Sequence, residues 1–338
     1  MFMRYSIVVI LMWCVVGCSM DTSYREAAFL DERGTNIQQI GEALMLGAPI
    51  DLCKAGDYLF VLAYSPEYWL HVYDKKTGEK VSEAIRVGRG PGEGVNIASM
   101  DFFVQEKCLY IFDRGLRKTL VYQIDGDTGN ATFKDEIQHP ADGVIRKCHH
   151  FDNGKYLYEG FLSGDDTFTR YTLSNAQNEL DTYSAYPELN SMDDRYAFIL
   201  GVSKACPETG KFVAATMFGA VLECFDVSGT HIEPIAIRLI DKPELDFSTS
   251  VIQMKAGKKY GFSTLCLTKD LIYANYIDGT DPNNFKAIVT FDWHGREKTR
   301  YTADRNILRI CPGDSPEELF GVSSSPEMEF SLVRIAMK

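Results

Sequence analysis

The sequence predicts an all-β fold, a six-bladed β-propeller of four-stranded antiparallel blades, and three observations carry that expectation. A two-part phrase, an apolar strand followed by a second strand that ends in a charged or glycine-containing turn, returns six times along 338 residues. Its anchors, Leu59, Leu109, Leu157, Phe212, Ile272 and Leu319, stand 50, 48, 55, 60 and 47 residues apart. No window sustains a 3.6-residue apolar period, so helices are expected to be few. A period near 50 with several short strands suits a propeller blade, because one such sheet cannot bury its faces alone and must stack on neighbours in a ring. The 18 Tyr and 20 Phe, against 3 Trp, fit pleated surfaces on which aromatic side chains pack.

The N-terminus reads as separate from the fold. Residues 1–17 combine Arg4, an apolar run from Tyr5 to Val16 and a small-residue ending, which is the grammar of a secretory signal peptide. Val15-Val16-Gly17-Cys18 resembles the bacterial lipobox, so Cys18 is the expected site of lipidation, with palmitate-type acyl chains. An uncleaved single-span anchor and an ordinary signal with a chance Cys are the other readings, and both still export the domain. Residues 18–37, the acylated Cys and a polar stretch, are expected to form a tether, and 38–338 the propeller. An acylated Cys18 would hold the chain on a membrane leaflet at about 0.8 kcal/mol per buried methylene. The outer membrane, on its periplasmic or surface face, is the expected location.

The first half of each phrase is Tyr58-Leu59-Phe60-Val61, Cys108-Leu109-Tyr110-Ile111, Tyr156-Leu157-Tyr158, Lys211-Phe212-Val213-Ala214, Leu271-Ile272-Tyr273-Ala274 and Glu318-Leu319-Phe320-Gly321. The second half begins with Leu70-His71-Val72-Tyr73-Asp74 and ends with Leu332-Val333-Arg334-Ile335. Because the last blade stops at Lys338 without an outer strand, Gln38 to Pro49, carrying Ile40, Leu44 and Leu46, is expected to close the ring and cover that bare edge.

Between the first two blades lies Gly88-Arg89-Gly90-Pro91-Gly92-Glu93. Its glycines permit a backbone path with amides free to face an anion. It lacks the Gly-Lys-Ser/Thr ending of a phosphate loop and no helical pattern follows, so a structural crossover is the expectation, with a ligand loop as the alternative.

A formal charge of −12 repels phosphate backbones, and no basic stripe offsets it, which argues against nucleic acid as a partner. Seven cysteines follow Cys18 without a CxxC pair, so neither a disulfide framework nor a zinc site is signalled. Cys53 and Cys266 stand six residues before their anchors and read as equivalent packing positions. Asp51 and Asp101 each stand eight residues before an anchor, which would put two carboxylates at the channel mouth, suited to calcium or an acid/base pair or else to turn capping. Of the adjacent His149 and His150, only one can face the channel, because neighbouring strand residues point to opposite sides. The Asp165-Asp166 and Asp193-Asp194 pairs read as loop residues that keep the rim soluble.

Taken together, the export signal, the lipobox, six degenerate blades and the Gly88-to-Glu93 crossover resemble the TolB-like six-bladed β-propeller lipoproteins of Bacteroidetes. The resemblance spans essentially the whole mature chain, with the crossover as its one sharp motif. It implies an envelope-anchored propeller with no established catalytic residues, so no site residue is carried over. The additional N-terminal domain of TolB has no visible counterpart, which leaves protein binding as an analogy of fold. The expected function is a non-catalytic binding or scaffold module whose partner is an envelope protein or glycan. The alternative is a hydrolase or lyase that uses calcium or zinc in the channel, held by Asp51, Asp101, His149 and His150.

Overall fold

Each two-part phrase becomes the second and third strand of an antiparallel sheet, the pair that lies between the channel-lining strand and the rim. These relationships come from a computed structural model that describes residues 23–151, 154–161, 169–175 and 178–338. The signal segment, Cys18 and Asp165-Asp166 lie outside the described residues. Strand β1 (Asp31–Leu44) precedes blade 1, which is β2 (Pro49–Ala55), β3 (Tyr58–Ala63), β4 (Tyr68–Asp74) and β5 (Lys80–Arg86). Blade 2 is β6 (Ile97–Phe103), β7 (Cys108–Asp113), β8 (Lys118–Ile124) and β9 (Ala131–Gln138); blade 3 is β10 (Val144–Phe151), β11 (Lys155–Phe161), β12 (Tyr171–Asn175) and β13 (Glu179–Tyr183). A crossover with a short helix α1 (Tyr196–Ile199) leads to blade 4: β14 (Val202–Cys206), β15 (Lys211–Ala215), β16 (Ala220–Asp226) and β17 (Glu233–Asp241). The next crossover carries a small hairpin, β18 (Leu245–Asp246) and β19 (Gln253–Met254). Blade 5 follows as β20 (Tyr260–Leu267), β21 (Leu271–Gly279), β22 (Ala287–Asp292) and β23 (Glu297–Thr302). Blade 6 is β24 (Asn306–Pro312), β25 (Glu318–Ser324) and β26 (Phe330–Met337), completed by β1.

The first strands of the six blades touch in a closed ring: β2 with β6, β6 with β10, β10 with β14, β14 with β20, β20 with β24, and β24 with β2. Every sequence anchor is buried, with exposures of 0% at Leu59, Leu109, Leu157, Phe212 and Ile272 and 1% at Leu319, which is why the repeat is visible at all. Five of these anchors face the preceding blade. Leu157 faces the following one, packing with Phe212 and Ala214, while Tyr156 and Tyr158 cover Phe112 of blade 2. Tyr156-Leu157-Tyr158 is apolar on both faces, so the pattern could not report which face looked which way.

Ring closure occurs where the sequence places it, and it begins earlier. Thr35 to Leu44 pairs antiparallel with β26, from Thr35 opposite Met337 to Leu44 opposite Phe330. Asp31 to Gly34 first pairs in parallel with Thr299 to Thr302 of β23, so blades 5 and 6 share one eight-stranded sheet. The stretch from Asp31 to Ile37, read as tether, is therefore strand. Its residues are polar because it lies on an outer, solvated edge, which removes the alternation that announces a strand. Pro49, expected at the end of the closing segment, instead opens blade 1.

Closure also brings two backbones together. Gly41 and Gly78 both adopt positive φ, at 68° and 75°, and a Cβ on Gly78 would lie 2.6 Å from the Ile40 carbonyl oxygen. The turn after β4 thus docks on the closing strand, and larger residues are excluded at Gly78. Ile40, 5% exposed, packs with Leu59, Phe320 and Leu332, and so joins the two ends of the chain. Replacing Ile40→Ala is expected to cost about 3 kcal/mol of unfolding free energy. Equilibrium denaturant melts read this directly, and an unchanged midpoint would show that the closing strand contributes little.

Candidate functional site

Counting back from an anchor assumes that every first hairpin has the same turn, and here it does not. Two residues separate β2 from β3, whereas four separate β6 from β7. The residue that matches Asp51, opposite Leu62, is consequently Ser99, opposite Phe112, and Asp101 matches Cys53. The expectation that Asp51 and Asp101 occupy matching positions is corrected on this point, although both carboxylates do reach the channel. Cys53 and Cys266 are true equivalents, opposite Phe60 and Tyr273, and Cys311, opposite Phe320, is a third.

Allowing for the one-residue shift in blade 3, one side chain per first strand forms a belt around the channel: Cys53, Asp101, His149, Lys204, Cys266 and Cys311. The belt lies between two cavities. Toward the end where chain crossovers enter the first strands is a polar cavity of about 240 Å³, lined by Asp51, Ser99, Lys147, His149, Ser203, Lys204, Ser263, Thr264 and Arg309 among others. At the opposite end is a more apolar cavity of about 380 Å³, where Cys53, Cys206, Cys266 and Cys311 meet Leu52, Phe102, Ile310 and Pro312. Burial pushes the Cys266 thiol up to about 12 and raises the other three, so these cysteines pack as neutral groups. All seven cysteines among the described residues are free.

The charged members of the belt neutralise one another across blades. Lys204 Nζ lies 2.6 Å from Asp51 Oδ2 and donates to the Met100 carbonyl at 3.0 Å. Burial opposes its charge, yet Asp51 and Asp101 raise its pKa. His149, 1% exposed, holds Nδ1 at 3.5 Å from Asp101 Oδ2 and Nε2 at 3.0 Å from Glu159 Oε1. Burial again opposes the charge, and again the two carboxylates win and raise the imidazole pKa. Asp101 and Glu159 are correspondingly held below the usual carboxylate range, against burial, by His149 and, for Glu159, by Lys147 first.

Within this network Ser203, His149 and Asp101 stand in the order of a hydrolytic triad, with Ser203 Oγ 3.2 Å from His149 Nε2. The chemistry does not follow. Glu159 shares that same nitrogen and accepts the Ser203 hydroxyl, so the serine hydrogen is directed to the carboxylate and not to the imidazole, and carboxylates beside both ring nitrogens favour the charged imidazole over a general base. Asp51, the carboxylate that a channel metal would need, is paired instead with the Lys204 ammonium.

His150 points away from the channel, as the alternation of the strand requires. It packs between blades 2 and 3 against Tyr110 and Tyr156, with ring centroids at 4.7 and 4.9 Å. Ligand atoms of His139, Cys148 and His150, all buried, lie within 4.8 Å of one another, a group with metal-ligand chemistry of which the sequence reading named His150 but missed His139, because His139 arrives from the β9–β10 connection. The Thr119 hydroxyl sits among them, 2.8 Å from His139 Nε2 and 2.9 Å from His150 Nε2, and His139 Nδ1 meets Tyr158 OH at 3.0 Å. Burial lowers His139 to about 4 and His150 to about 3, so both are neutral partners in a closed hydrogen-bond hub.

The Gly88-to-Glu93 crossover answers its own amides. Gly90 N–H donates to Glu93 Oε2 at 2.7 Å, and a Cβ on Gly88 would collide with the same carboxylate. Trp69 Nε1 and Tyr122 OH donate to the carbonyls of Gly94 and Gly92, which fixes the loop to blades 1 and 2. The concavity that an anion could occupy is filled by Glu93, while Arg89 is exposed. Asp193 is exposed, whereas its neighbour Asp194 is buried, accepting the amides of Ser191 and Leu245 and tying the turn before α1 to the β18–β19 hairpin.

His149 gives the network a pH signature. Because its folded pKa is raised, its stabilisation is fully present below the unfolded value of about 6.5 and is lost as pH rises through the folded one. His149→Gln should therefore cost more stability near pH 5.5 than near pH 9, read as the difference between paired denaturant melts. An equal penalty at both pH values would contradict a charged His149.

No curated protein matches the sequence. Among solved structures, a Bacteroides fragilis protein designated as exported is similar over 94% of this chain and 99% of its own, at 14% identity and a TM-score of 0.59. A member of the DUF4221 family from Bacteroides vulgatus is similar over 94% and 99%, at 10% identity and a TM-score of 0.54. Both likenesses concern the fold. The family model for TolB-like 6-blade propeller-like proteins matches residues 28–314, and with six blades and a belted channel already traced, the chain belongs to the TolB-like 6-blade propeller-like family.

Proposed function

We propose that this chain is an exported, lipid-anchored propeller that binds a partner in the cell envelope and performs no chemistry on it. The observation that carries the reading is the state of the belt: His149 is held between Asp101 and Glu159, and Lys204 is bonded to Asp51 and to the Met100 carbonyl. Groups that could serve as base, nucleophile or metal ligands are committed to bonds within blade 3 and between blades. Such a channel is a structural plug, and recognition falls to the mouths and rims, where loops from several blades converge.

The polar mouth favours an anionic group on the partner, whether an acidic protein segment or a carboxylate-bearing glycan. Arg309 donates to the main-chain carbonyls of Ile50 and Leu308, and burial lowers its pKa with only the more distant Asp51 opposing. A guanidinium in that state gains from a ligand carboxylate. Lys147 lines the same cavity. In a chain of net charge −12 this mouth is a local concentration of cations. Anchoring is supported by the lipobox at Cys18, and no helix among the described residues is long and apolar enough to cross a membrane.

Two measurements test the reading. Radiolabelled palmitate should enter the wild-type chain and be absent from Cys18→Ala, and label retained in that variant would remove the proposed anchor. Capture from cross-linked native envelopes should recover an acidic partner in near-stoichiometric yield. Arg309→Gln is expected to reduce that recovery roughly tenfold, the loss of one charge-assisted hydrogen bond, at a temperature where circular dichroism shows both proteins folded. Undiminished recovery would exclude the polar mouth as the binding site.

A further inference from the structure

The geometry points to a membrane-docking face over blade 4, made by two crossovers that the six-blade repeat does not require. This inference rests on the lipid-anchored reading above. The crossover before β14 exposes Met192, Tyr196 and Leu200 at 63%, 37% and 45%, and the one before β20 exposes Phe247 and Val251 at 41% and 67%. Tyr196 and Phe247 meet edge to face, with centroids 5.7 Å apart, so the two crossovers present a shared apolar surface.

That surface stands on a rigid base. Arg170 and Glu223 form a buried ion pair between blades 3 and 4, and the guanidinium lies 4.7 Å from the Phe198 ring centroid and 4.9 Å from that of Tyr186. Asp194, in the turn just before α1, joins that crossover to the hairpin through the Leu245 amide. With their inner side fixed in this way, the outward residues have no role in the core. Five large apolar side chains in solvent on two crossovers that meet at Tyr196 and Phe247 are unusual for a free surface.

The occupant is indicated by where the described chain begins. Tyr24 packs against the cluster that contains Phe198, Leu245 and Met254, and its hydroxyl donates to the Glu188 carbonyl at 3.3 Å. Arg25 N–H donates to the Leu239 carbonyl at 3.0 Å. Cys18 is five positions before Ser23, a reach of at most about 18 Å. An acyl chain on Cys18 therefore keeps this side of the propeller near the bilayer surface. An aromatic and aliphatic patch at that distance can enter the headgroup and upper acyl region, where Tyr and Phe are well placed.

The test uses the full-length acylated protein carrying Phe247→Trp, reconstituted into phosphatidylethanolamine and phosphatidylglycerol vesicles with or without brominated acyl chains. Val81→Trp, on the exposed outer strand of blade 1 across the ring, is the reference. Trp69 and Trp293, both nearly buried, are subtracted with the parent protein. The proposal expects at least about twofold quenching of the Phe247→Trp signal by bromolipid, as for a group about 5–10 Å deep, and none for Val81→Trp. Protein that floats with vesicles through its acyl chain but shows equal, weak quenching at both positions overturns docking and leaves anchoring intact. Protein that carries no acyl group and does not float overturns both. Dimers that shield Phe247→Trp from bromolipid and from soluble iodide assign the patch to a second copy, and also overturn docking.

Discussion

A four-stranded blade has two apolar faces that it cannot bury alone, and the last blade of this chain in addition lacks an outer strand of its own. The faces are covered by stacking six blades in a ring, which places Leu59, Leu109, Leu157, Phe212, Ile272 and Leu319 beyond the reach of water. The last bare edge is covered by β1, which spans blades 5 and 6 and fastens the first strand of the fold to the last. This closure couples the stability of every blade interface to a single closing strand, because an open ring would expose an apolar face at each end. It also brings Gly41 against Gly78, so that closure is felt in blade 1 as well as in blade 6.

Stacking six blades creates a second constraint at the centre, where six first strands converge and their side chains compete for one narrow channel. Cysteine at three belt positions meets it with small, neutral groups. Asp101, His149 and Lys204 meet it with charges that cancel across blades 2, 3 and 4 and reach Asp51 of blade 1. Buried pairs of this kind add little net stability over an apolar plug, since desolvation consumes most of their attraction, but loss of one partner leaves a buried charge exposed to its full cost. The network therefore holds the blades in register more than it deepens the energy minimum. It also withholds from catalysis the residues that, viewed singly, look reactive.

The legible and illegible parts of the site divide by sequence distance. Asp51, Asp101 and His149 could be assigned to the channel because each sits on a first strand a few residues before a recognisable anchor. Lys204 and Arg309 sit on such strands too, yet a lone cation in a half-polar strand carries no motif. Glu159 and His139 were out of reach, since their partners lie on different strands, and in the case of His139 on the next blade. The matching of Asp51 to Asp101 failed over two residues in the first hairpin of blade 2, a loop-length change that leaves the repeat intact while shifting its register.

The sequence by itself determined the class of fold, the number of blades and the way the ring closes. Those properties follow from local alternation, from periodic burial and from the spacing of like residues, all of which are written along the chain. Only the tertiary structure decided which way Leu157 faces, where the closing strand begins, and which charges pair around the channel. These are settled by contacts between blades some fifty residues apart, where side-chain geometry and the cost of an unpaired buried charge choose among arrangements that the repeat alone leaves equivalent.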